Sequence, residues 1–384
     1  MAKNLVKAAV LIEKQRIEIK NYPYPEKIGE DAMVVKMRMS GICGTDKHKF
    51  MGRDPSVPLP IILGHENIGE VYEIGKKARQ EMEFHGESLV EGDRVTWFPC
   101  IPCGKCYACK QLAQNRLGVL CENPECYGIN ISSDKPPHLW GGFAEYVYIK
   151  PGTYVFKIPD TLPDEVAVLV DVFASCCGIK KAMMPCPGLR EGFGPGDIVA
   201  IQGSGPIGLA AGVTAKLSGA HKVILIGGPA HRLKLAEQLG VFDELINIEE
   251  TDVNERIKMV KKLTPGGVGP DMVVDCTGVA NAIPEGLEIV RRGGIFVEIG
   301  AFIDVGDAKI NPHKHICHKD VYIVGQYGCP PHYYDVAIKL IENAIHFDIP
   351  LNKMVTHKFA LEDAQKAFET AEKLESMKAV ITPK

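Results

Sequence analysis

The sequence lacks an uninterrupted apolar run long enough to form a membrane helix. Its longest apolar region, residues 198–213, is interrupted by Gly203, Gly205, Pro206 and Gly208, whereas a spanning helix needs about 20 consecutive apolar residues. Residues 1–14 alternate between apolar and polar side chains and lack the apolar core of a secretory signal. These absences predict a cytoplasmic protein that does not enter a membrane.

The sequence also lacks an excess of charge of either sign. It has 44 Lys and Arg against 48 Asp and Glu, which gives a formal net charge of -4, and it contains no long block of like charges. A basic surface for nucleic acid is therefore not predicted. With 384 residues, 46% of them hydrophobic, the chain is long enough for two domains that each bury a core.

The apolar runs change character along the chain. Early runs are short and separated by turn residues, which predicts a folded sheet or irregular barrel; they cover residues 6–12, 33–39, 68–74, 94–98 and 143–149. Between them, residues 76–93 are polar and predict an extended loop. After residue 167, buried runs alternate with helix-length segments, as in a doubly wound parallel α/β sheet. These runs cover residues 198–202, 223–226, 244–248, 272–275, 295–299 and 321–325. A helix at 361–374 and a strand at 378–381 follow.

A glycine-rich turn follows the first of these α/β strands. Gly203, Gly205 and Gly208, with Pro206 and Ile207 between the last two, form a G-x-G-x-x-G motif between a strand and a helix. These glycines permit a tight turn, close approach of a pyrophosphate and close packing of helix on strand. The start of the helix offers free N–H groups to the phosphates. The motif in this context predicts a nicotinamide dinucleotide site.

The second strand ends without the acidic residue that usually binds the adenosine ribose. Gly227 and Gly228 stand there, and they leave room for a 2′-phosphate with which His231 or Arg232 could pair. NADP is therefore a hypothesis beside NAD.

Cysteine is the other informative residue type. The 13 cysteines are an odd set without a secretory signal, which favours metal ligands and buried thiols over a disulfide framework. Cys103, Cys106 and Cys109 repeat a ligand spacing twice, and Cys121 would complete a closed zinc site. Cys100 and Cys126 are alternatives for the fourth thiolate. A looser group contains a thiol, an imidazole and carboxylates, namely Cys43, Asp46, His65 and Glu66.

These motifs together resemble the zinc-dependent alcohol dehydrogenase branch of the medium-chain dehydrogenase/reductase family. The resemblance covers essentially the whole chain, in the same order, through residues 41–46, 64–69, 92–95, 141–146 and 203–208, the cysteine-rich segment and residues 355–359. It implies a β-rich GroES-like catalytic domain of residues 1–172 and 330–384, with a structural zinc lobe at about 98–126. It also implies a Rossmann cofactor domain of residues 173–329, with the active site in the cleft between the domains. The expected cofactors are two zinc ions per chain and NAD or NADP. The expected assembly is a homodimer or homotetramer.

The resemblance also assigns roles. Cys43, His65 and Asp171 match the ligands of a catalytic zinc, with Cys176 and Cys177 as poorer matches for the third. Glu66 is a further ligand or lies behind the metal, and Asp46 orients the histidine. Thr45 and His48 match a proton relay. The implied reaction is hydride transfer between an alcohol, whose hydroxyl the zinc acidifies, and the nicotinamide.

Some features leave alternatives open. A polyol or amino-alcohol dehydrogenase of the same family would use the same residues. A cofactor-binding zinc protein that senses redox state through Cys176 and Cys177 is a more distant alternative. Segments 76–93 and 181–195 look inserted relative to the family. Trp97, Phe98 and Trp140 are either walls of the substrate pocket or plain core.

Overall fold

The computed structural model describes residues 5–112, 119–184 and 192–383. Over these ranges, no helix is both long enough and apolar enough to cross a membrane. The chain divides into two compact units. The first comprises the described residues of Met1–Asp171, Pro330–Ile338 and Met354–Lys384, and the second those of Val172–Cys329 and Lys339–Lys353. The resemblance assigned residues 339–353 to the catalytic domain, but they belong to the second unit. They include the C-terminal half of the helix His332–His346.

The strands in the described ranges follow in chain order. They are β1 (Leu5–Glu13), β2 (Arg16–Pro23), β3 (Met33–Gly41), β4 (Ile61–Ile62), β5 (Glu66–Ile74), β6 (Arg94–Trp97), β7 (Cys100–Ile101), β8 (Glu125–Cys126), β9 (Tyr146–Ile149), β10 (Val155–Lys157), β11 (Ile198–Gln202), β12 (Lys222–Gly227), β13 (Glu244–Asn247), β14 (Met272–Asp275), β15 (Ile295–Glu298), β16 (Tyr322–Gly325), β17 (Val355–Ala360) and β18 (Lys378–Thr382).

The α-helices in the same ranges are α1 (Gly44–Phe50), α2 (Ala78–Glu81), α3 (Tyr107–Gln111), α4 (Asp164–Ala167), α5 (Val170–Cys176), α6 (Ile179–Ala182), α7 (Pro206–Leu217), α8 (Ala230–Leu239), α9 (Val253–Lys262), α10 (Ala282–Ile289), α11 (His332–His346) and α12 (Ala364–Glu372). The helix expected at 361–374 is thus a 3₁₀ turn, Leu361–Asp363, followed by the shorter α12.

The first unit is built on a mixed sheet with β3 near its centre. The order is β10-β6-β5-β3-β18-β17, and β9 also pairs with β3. A smaller sheet has the order β2-β1-β4. Trp97 and Trp140 are 0% and 2% exposed and belong to the core beneath these strands, so the core alternative holds for both. This arrangement confirms the β-rich GroES-like class.

The second unit contains a six-stranded parallel sheet in the order β13-β12-β11-β14-β15-β16. Its core strands are apolar and buried on both faces; β11, for example, is buried throughout, as expected of a sheet covered by helices. All six expected strands are present, with ends within two residues of the prediction. The doubly wound Rossmann sheet is therefore confirmed.

Three local predictions need correction or limits. Segment 76–93 is not simply an extended loop, because it contains α2 and a double contact from the Arg79 guanidinium to the Glu91 carboxylate.

Cys100 and Cys126 form a disulfide between β7 and β8, although the sequence favoured no disulfide. These two strands are antiparallel neighbours, which brings the two cysteines opposite each other. Residues 185–191 of the 181–195 insertion lie outside the described residues.

Candidate active site

Cys43 lies at the start of α1, where its backbone is extended and its side chain caps the helix. Asp46, three residues later, accepts a hydrogen bond at Oδ2 from the Cys43 N–H, at 2.9 Å. This reciprocal capping box satisfies N–H groups that a helix start leaves unpaired. It also fixes the position of the thiol relative to the helix.

Asp46 also connects α1 to His65. The other oxygen of this fully buried carboxylate, Oδ1, accepts from the Gly64 N–H at 3.3 Å and lies 3.5 Å from His65 Nδ1. Residue 64 must be glycine, because it has a φ of +94° and a Cβ would lie 2.8 Å from the Phe143 ring. Burial opposes a charge on His65, but the charges of Asp46 and Cys43 outweigh it and raise the pKa of His65 well above its ordinary value.

Glu66 is bound by a residue that the sequence reasoning missed. The Lys378 ammonium donates to both Glu66 carboxylate oxygens, at 2.8 and 2.6 Å, and to the Ile42 carbonyl at 3.3 Å. The side chains of Lys378 and Glu66 are only 3% and 1% exposed. The two residues begin β18 and β5, the strands on either side of β3, so the sheet order brings them together.

Asp171 lies in the first turn of α5, beside the same group. Burial and the charge of Glu66 raise the pKa of Asp171, while His65, the Tyr334 hydroxyl and Lys378 counteract this rise. The Tyr334 hydroxyl donates a hydrogen bond to Asp171 Oδ1. Sequence reasoning missed Tyr334 as well. Cys43, His65, Glu66 and Asp171 therefore act on one another electrostatically within the first unit.

Thr45 and His48 lie on α1, three residues apart and therefore on neighbouring positions of one helix face. Thr45 Oγ1 is 3.9 Å from Cys43 Sγ. Burial, together with the positive charges of Arg53 and Lys47, lowers the pKa of the half-buried His48. The shift favours the neutral imidazole, which can accept a proton.

Four other cysteines form a second group. The sulfur atoms of Cys103, Cys106, Cys109 and Cys121 all lie within 4.8 Å of one another, and over residues 5–112, 119–184 and 192–383 no other set of three or more metal-binding side chains is this compact. The ligand atoms of Cys43, His65 and Asp171 are thus not all within 4.8 Å of one another. Hydrogen bonds from the N–H groups of Lys105 and Cys106 lower the pKa of Cys103 to about 6. With Cys100 and Cys126 joined to each other, Cys121 is the fourth member.

The glycine-rich turn lies in the second unit, between β11 and α7. Gly205 precedes α7 as its cap, and Pro206 and Ile207 begin the helix. A Cβ on Gly208 would lie 1.7 Å from the Gly203 carbonyl oxygen, so this close approach of helix to strand requires glycine. The first-turn N–H groups of α7 have the arrangement that binds phosphate.

The end of β12 is organised around glycine and serine. The Ser204 hydroxyl donates to the Gly228 carbonyl at 2.8 Å and accepts from the Gly228 N–H at 3.0 Å. Arg232 Nη1 lies 4.0 Å from the position of a Cβ on Gly205, and His231 is exposed. A carboxylate does reach this region from the end of the next strand, since Glu249 accepts from the Ala230 N–H at 3.2 Å. Sequence reasoning looked for an acid only after the second strand and missed it.

Cys176 and Cys177 are buried in the second unit. The Cys176 thiol donates to the Ile207 carbonyl at 3.2 Å, and burial raises the pKa of Cys177 to about 12. A buried thiol with a raised pKa is a poor nucleophile, which disfavours both a redox sensor and a third zinc ligand at these positions.

Comparison with known proteins gives the family. Residues 29–160 match the model of the alcohol dehydrogenase GroES-like domain, and residues 206–343 match the zinc-binding dehydrogenase model. A 5-exo-hydroxycamphor dehydrogenase of Pseudomonas putida is 30% identical over 383 residues, covering 98% of both chains. This chain belongs to the zinc-dependent alcohol dehydrogenase family. It is accordingly an oxidoreductase that acts on an alcohol with zinc and NAD(P).

Two further relatives have names that mention a polyol substrate and the cofactor NADP. The sorbitol dehydrogenase of Bacillus subtilis (strain 168) is 31% identical over 384 residues, covering 98% of this chain and 97% of its own. A structure from Sinorhizobium meliloti 1021, described as a zinc-binding dehydrogenase bound to NADP, has a TM-score of 0.82 and 30% identity. The match covers 99% of this chain and all of that one. Alcohol and polyol dehydrogenases are thus both among the relatives.

Proposed function

We propose that this dehydrogenase interconverts a primary or secondary alcohol or a polyol and its aldehyde or ketone, at a catalytic zinc bound by Cys43, His65 and Asp171. The observation that supports this proposal is that His65 interacts with the Cys43 thiol and with the buried Asp171 carboxylate, and that these three residues come from separate chain segments of one unit. Sulfur, nitrogen and oxygen donors of these types suit zinc. When bound, the zinc would supply a Lewis acid that makes an alcohol hydroxyl easier to deprotonate.

The surrounding side chains have supporting roles in this proposal. Asp46 would orient the His65 ring through the Nδ1 contact. Lys378 would bind the Glu66 carboxylate through both of its oxygens and balance its charge. Thr45 would relay the hydroxyl proton of the alcohol by accepting it while its own hydroxyl proton passes on toward His48, since a neutral imidazole is a competent acceptor.

A second zinc would have a purely structural role in the lobe of Cys103, Cys106, Cys109 and Cys121. Four thiolates complete a tetrahedral shell, so no position remains for a substrate. Two zinc ions per chain are therefore proposed.

Substrate class is tested by oxidation and reduction assays with the purified enzyme. We expect NAD(P)H formation with primary or secondary alcohols or with polyols, and the reverse reaction with aldehydes, ketones or ketoses. A preference for polyols would favour a polyol dehydrogenase. Turnover of amino alcohols alone would favour an amino-alcohol dehydrogenase. A Cys43→Ala variant is the control and should be inactive with every substrate. Absence of turnover with all of these classes would contradict the proposal.

For the cofactor, we propose that Arg232 binds the 2′-phosphate of NADP. The guanidinium lies beside Gly205 at the phosphate-binding turn, and a guanidinium can bind two phosphate oxygens at once. The cofactor residues of this proposal are Gly203, Gly205, Pro206, Ile207, Gly208, Gly227, Gly228 and Arg232.

The expected result for Arg232→Ala is a fall in kcat/KM for NADPH of about 10- to 100-fold, with little change for NADH, because hydrogen bonds to charged groups are worth roughly 1.5–3 kcal/mol. The two values are compared in steady-state assays. His231→Ala tests the alternative that the imidazole pairs with the phosphate, and Lys234→Ala is the matched control, because it removes an exposed cation of the same helix and should leave both values unchanged. An equal fall for both cofactors, or a wild-type enzyme that strongly prefers NADH, would contradict the assignment.

We also propose a homodimer or homotetramer and a cytoplasmic location. β16 lies at the end of the six-stranded sheet, and such an edge can pair with a second copy. Ten of the described cysteines are not in the Cys100–Cys126 disulfide, as expected in a reducing compartment. Light scattering of the purified protein determines the oligomeric state.

A further inference from the structure

Tyr334 is a buried side chain that the proposed mechanism leaves without a role. It is 0% exposed, and its hydroxyl donates to Oδ1 of Asp171. A carboxylate that accepts a hydrogen bond at one oxygen has its plane fixed, and the direction of the other oxygen is fixed with it. Hydrogen bonds of this kind orient metal ligands and tune how strongly the metal is bound.

The ring of Tyr334 is held by other aromatic rings of the same unit. It stacks on Phe156 with centroids 5.4 Å apart and an interplanar angle of 25°, and it meets Phe98 edge to face at 5.8 Å. Phe156 in turn stacks on Phe84, with centroids 4.8 Å apart. Aromatic pairs of this geometry hold their rings in place more firmly than burial alone does. The hydroxyl therefore cannot move far from Asp171 without loss of ring contacts.

Phe84 belongs to segment 76–93, which looks inserted relative to the family. The segment is fixed on both sides of this ring. The Phe84 N–H donates to the Val155 carbonyl at 2.8 Å, and the buried Glu83 carboxylate accepts from the N–H groups of His85 and Glu87, at 2.6 and 3.1 Å. His85 Nε2 lies 3.1 Å from Oδ1 of Asp335, the neighbour of Tyr334. The inserted segment thus contacts both the stack and α11.

We propose that Tyr334 is a positioning residue that orients the Asp171 carboxylate toward the catalytic metal, and that segment 76–93 supports it through Phe84. This inference rests on the proposed function, because it takes Asp171 as a ligand. It gives the inserted segment a role that does not require contact with the substrate. Loss of the hydroxyl would free the carboxylate to rotate and would weaken its hold on the metal while the fold is retained.

The variant Tyr334→Phe removes the hydroxyl and keeps the ring. We expect the affinity for the metal that is lost in Cys43→Ala, measured by chelator competition, to fall about 10- to 100-fold, the range seen when partners of metal ligands are removed. The visible absorption of the cobalt-substituted enzyme should shift as well. Phe84→Ala should change both readouts in the same direction and by less.

Tyr24→Phe is the matched control. Its hydroxyl also donates to a carboxylate, Glu73, at 3.0 Å in the same unit, and Tyr24 is 8% exposed. It should leave metal affinity and the cobalt spectrum unchanged. Wild-type behaviour of Tyr334→Phe, or equal changes in Tyr24→Phe, would overturn the inference.

Asp171→Ala separates this inference from the proposed function. If that variant keeps both metals with an unchanged cobalt spectrum, Asp171 is not a ligand and the proposed site fails. If it loses one metal while Tyr334→Phe behaves as wild type, only the role of Tyr334 fails.

Discussion

Lys378→Met is expected to lower the free energy of unfolding of the first unit by about 3–5 kcal/mol, the usual cost of removing one partner from a buried ion pair. The ammonium makes three contacts, two to Glu66 and one to the Ile42 carbonyl. Without it, a carboxylate that is 1% exposed would carry an uncompensated charge. Both tryptophans of the chain, Trp97 and Trp140, lie in the core of this unit, so urea denaturation followed by tryptophan fluorescence reports its stability selectively.

Two controls distinguish a buried charge from a general effect of losing lysine. The double variant Glu66→Gln/Lys378→Met should recover much of the lost stability, because no charge remains unpaired. Arg79→Met removes an ion pair whose side chains are 35% and 49% exposed, and it should cost less than about 1 kcal/mol. A double variant as unstable as Lys378→Met alone would contradict the explanation.

Thr45→Ala is expected to lower kcat by about 10²- to 10⁴-fold, the range for loss of a general acid–base group, while both metals remain bound. The side chain lies 3.9 Å from Cys43 Sγ, close enough to the proposed zinc ligands to relay a proton released there by giving up its own. It is not itself a ligand, so metal content should not change. Steady-state assays and metal analysis of the same preparation give the two readouts.

Thr45→Ser is the matched control for this prediction. It keeps a hydroxyl at the same position and should retain most of the activity. Turnover of Thr45→Ala within a few-fold of the wild type would show that the proton leaves by another route.

The Rossmann unit could be predicted almost strand by strand. Parallel strands buried on both faces form continuous apolar runs, and β11 with its glycine-rich turn, Gly203–Gly208, combines local signals that need no distant partner. The first unit was less predictable, because the last strand of the chain, β18, lies between β17 and the early strand β3. Spacing in the sequence carries no information about such an arrangement.

The missed site residues share this cause. Lys378 is 312 positions from Glu66, and a lysine at the start of an apolar strand is ordinarily exposed. Tyr334 is 163 positions from Asp171. The spacing of Cys103, Cys106 and Cys109, by contrast, is a local signal. The Cys100–Cys126 disulfide depends on the pairing of β7 with β8, which the sequence did not predict.

Metal analysis of the purified enzyme and two variants tests the central claim most directly. The account predicts two zinc ions per chain in the wild type. It predicts one in Cys43→Ala, with no activity and the structural lobe intact, and a loss of the other zinc in Cys121→Ser. A single zinc in the wild type, or two zinc ions and normal turnover in Cys43→Ala, would contradict the claim that Cys43 belongs to a catalytic zinc site.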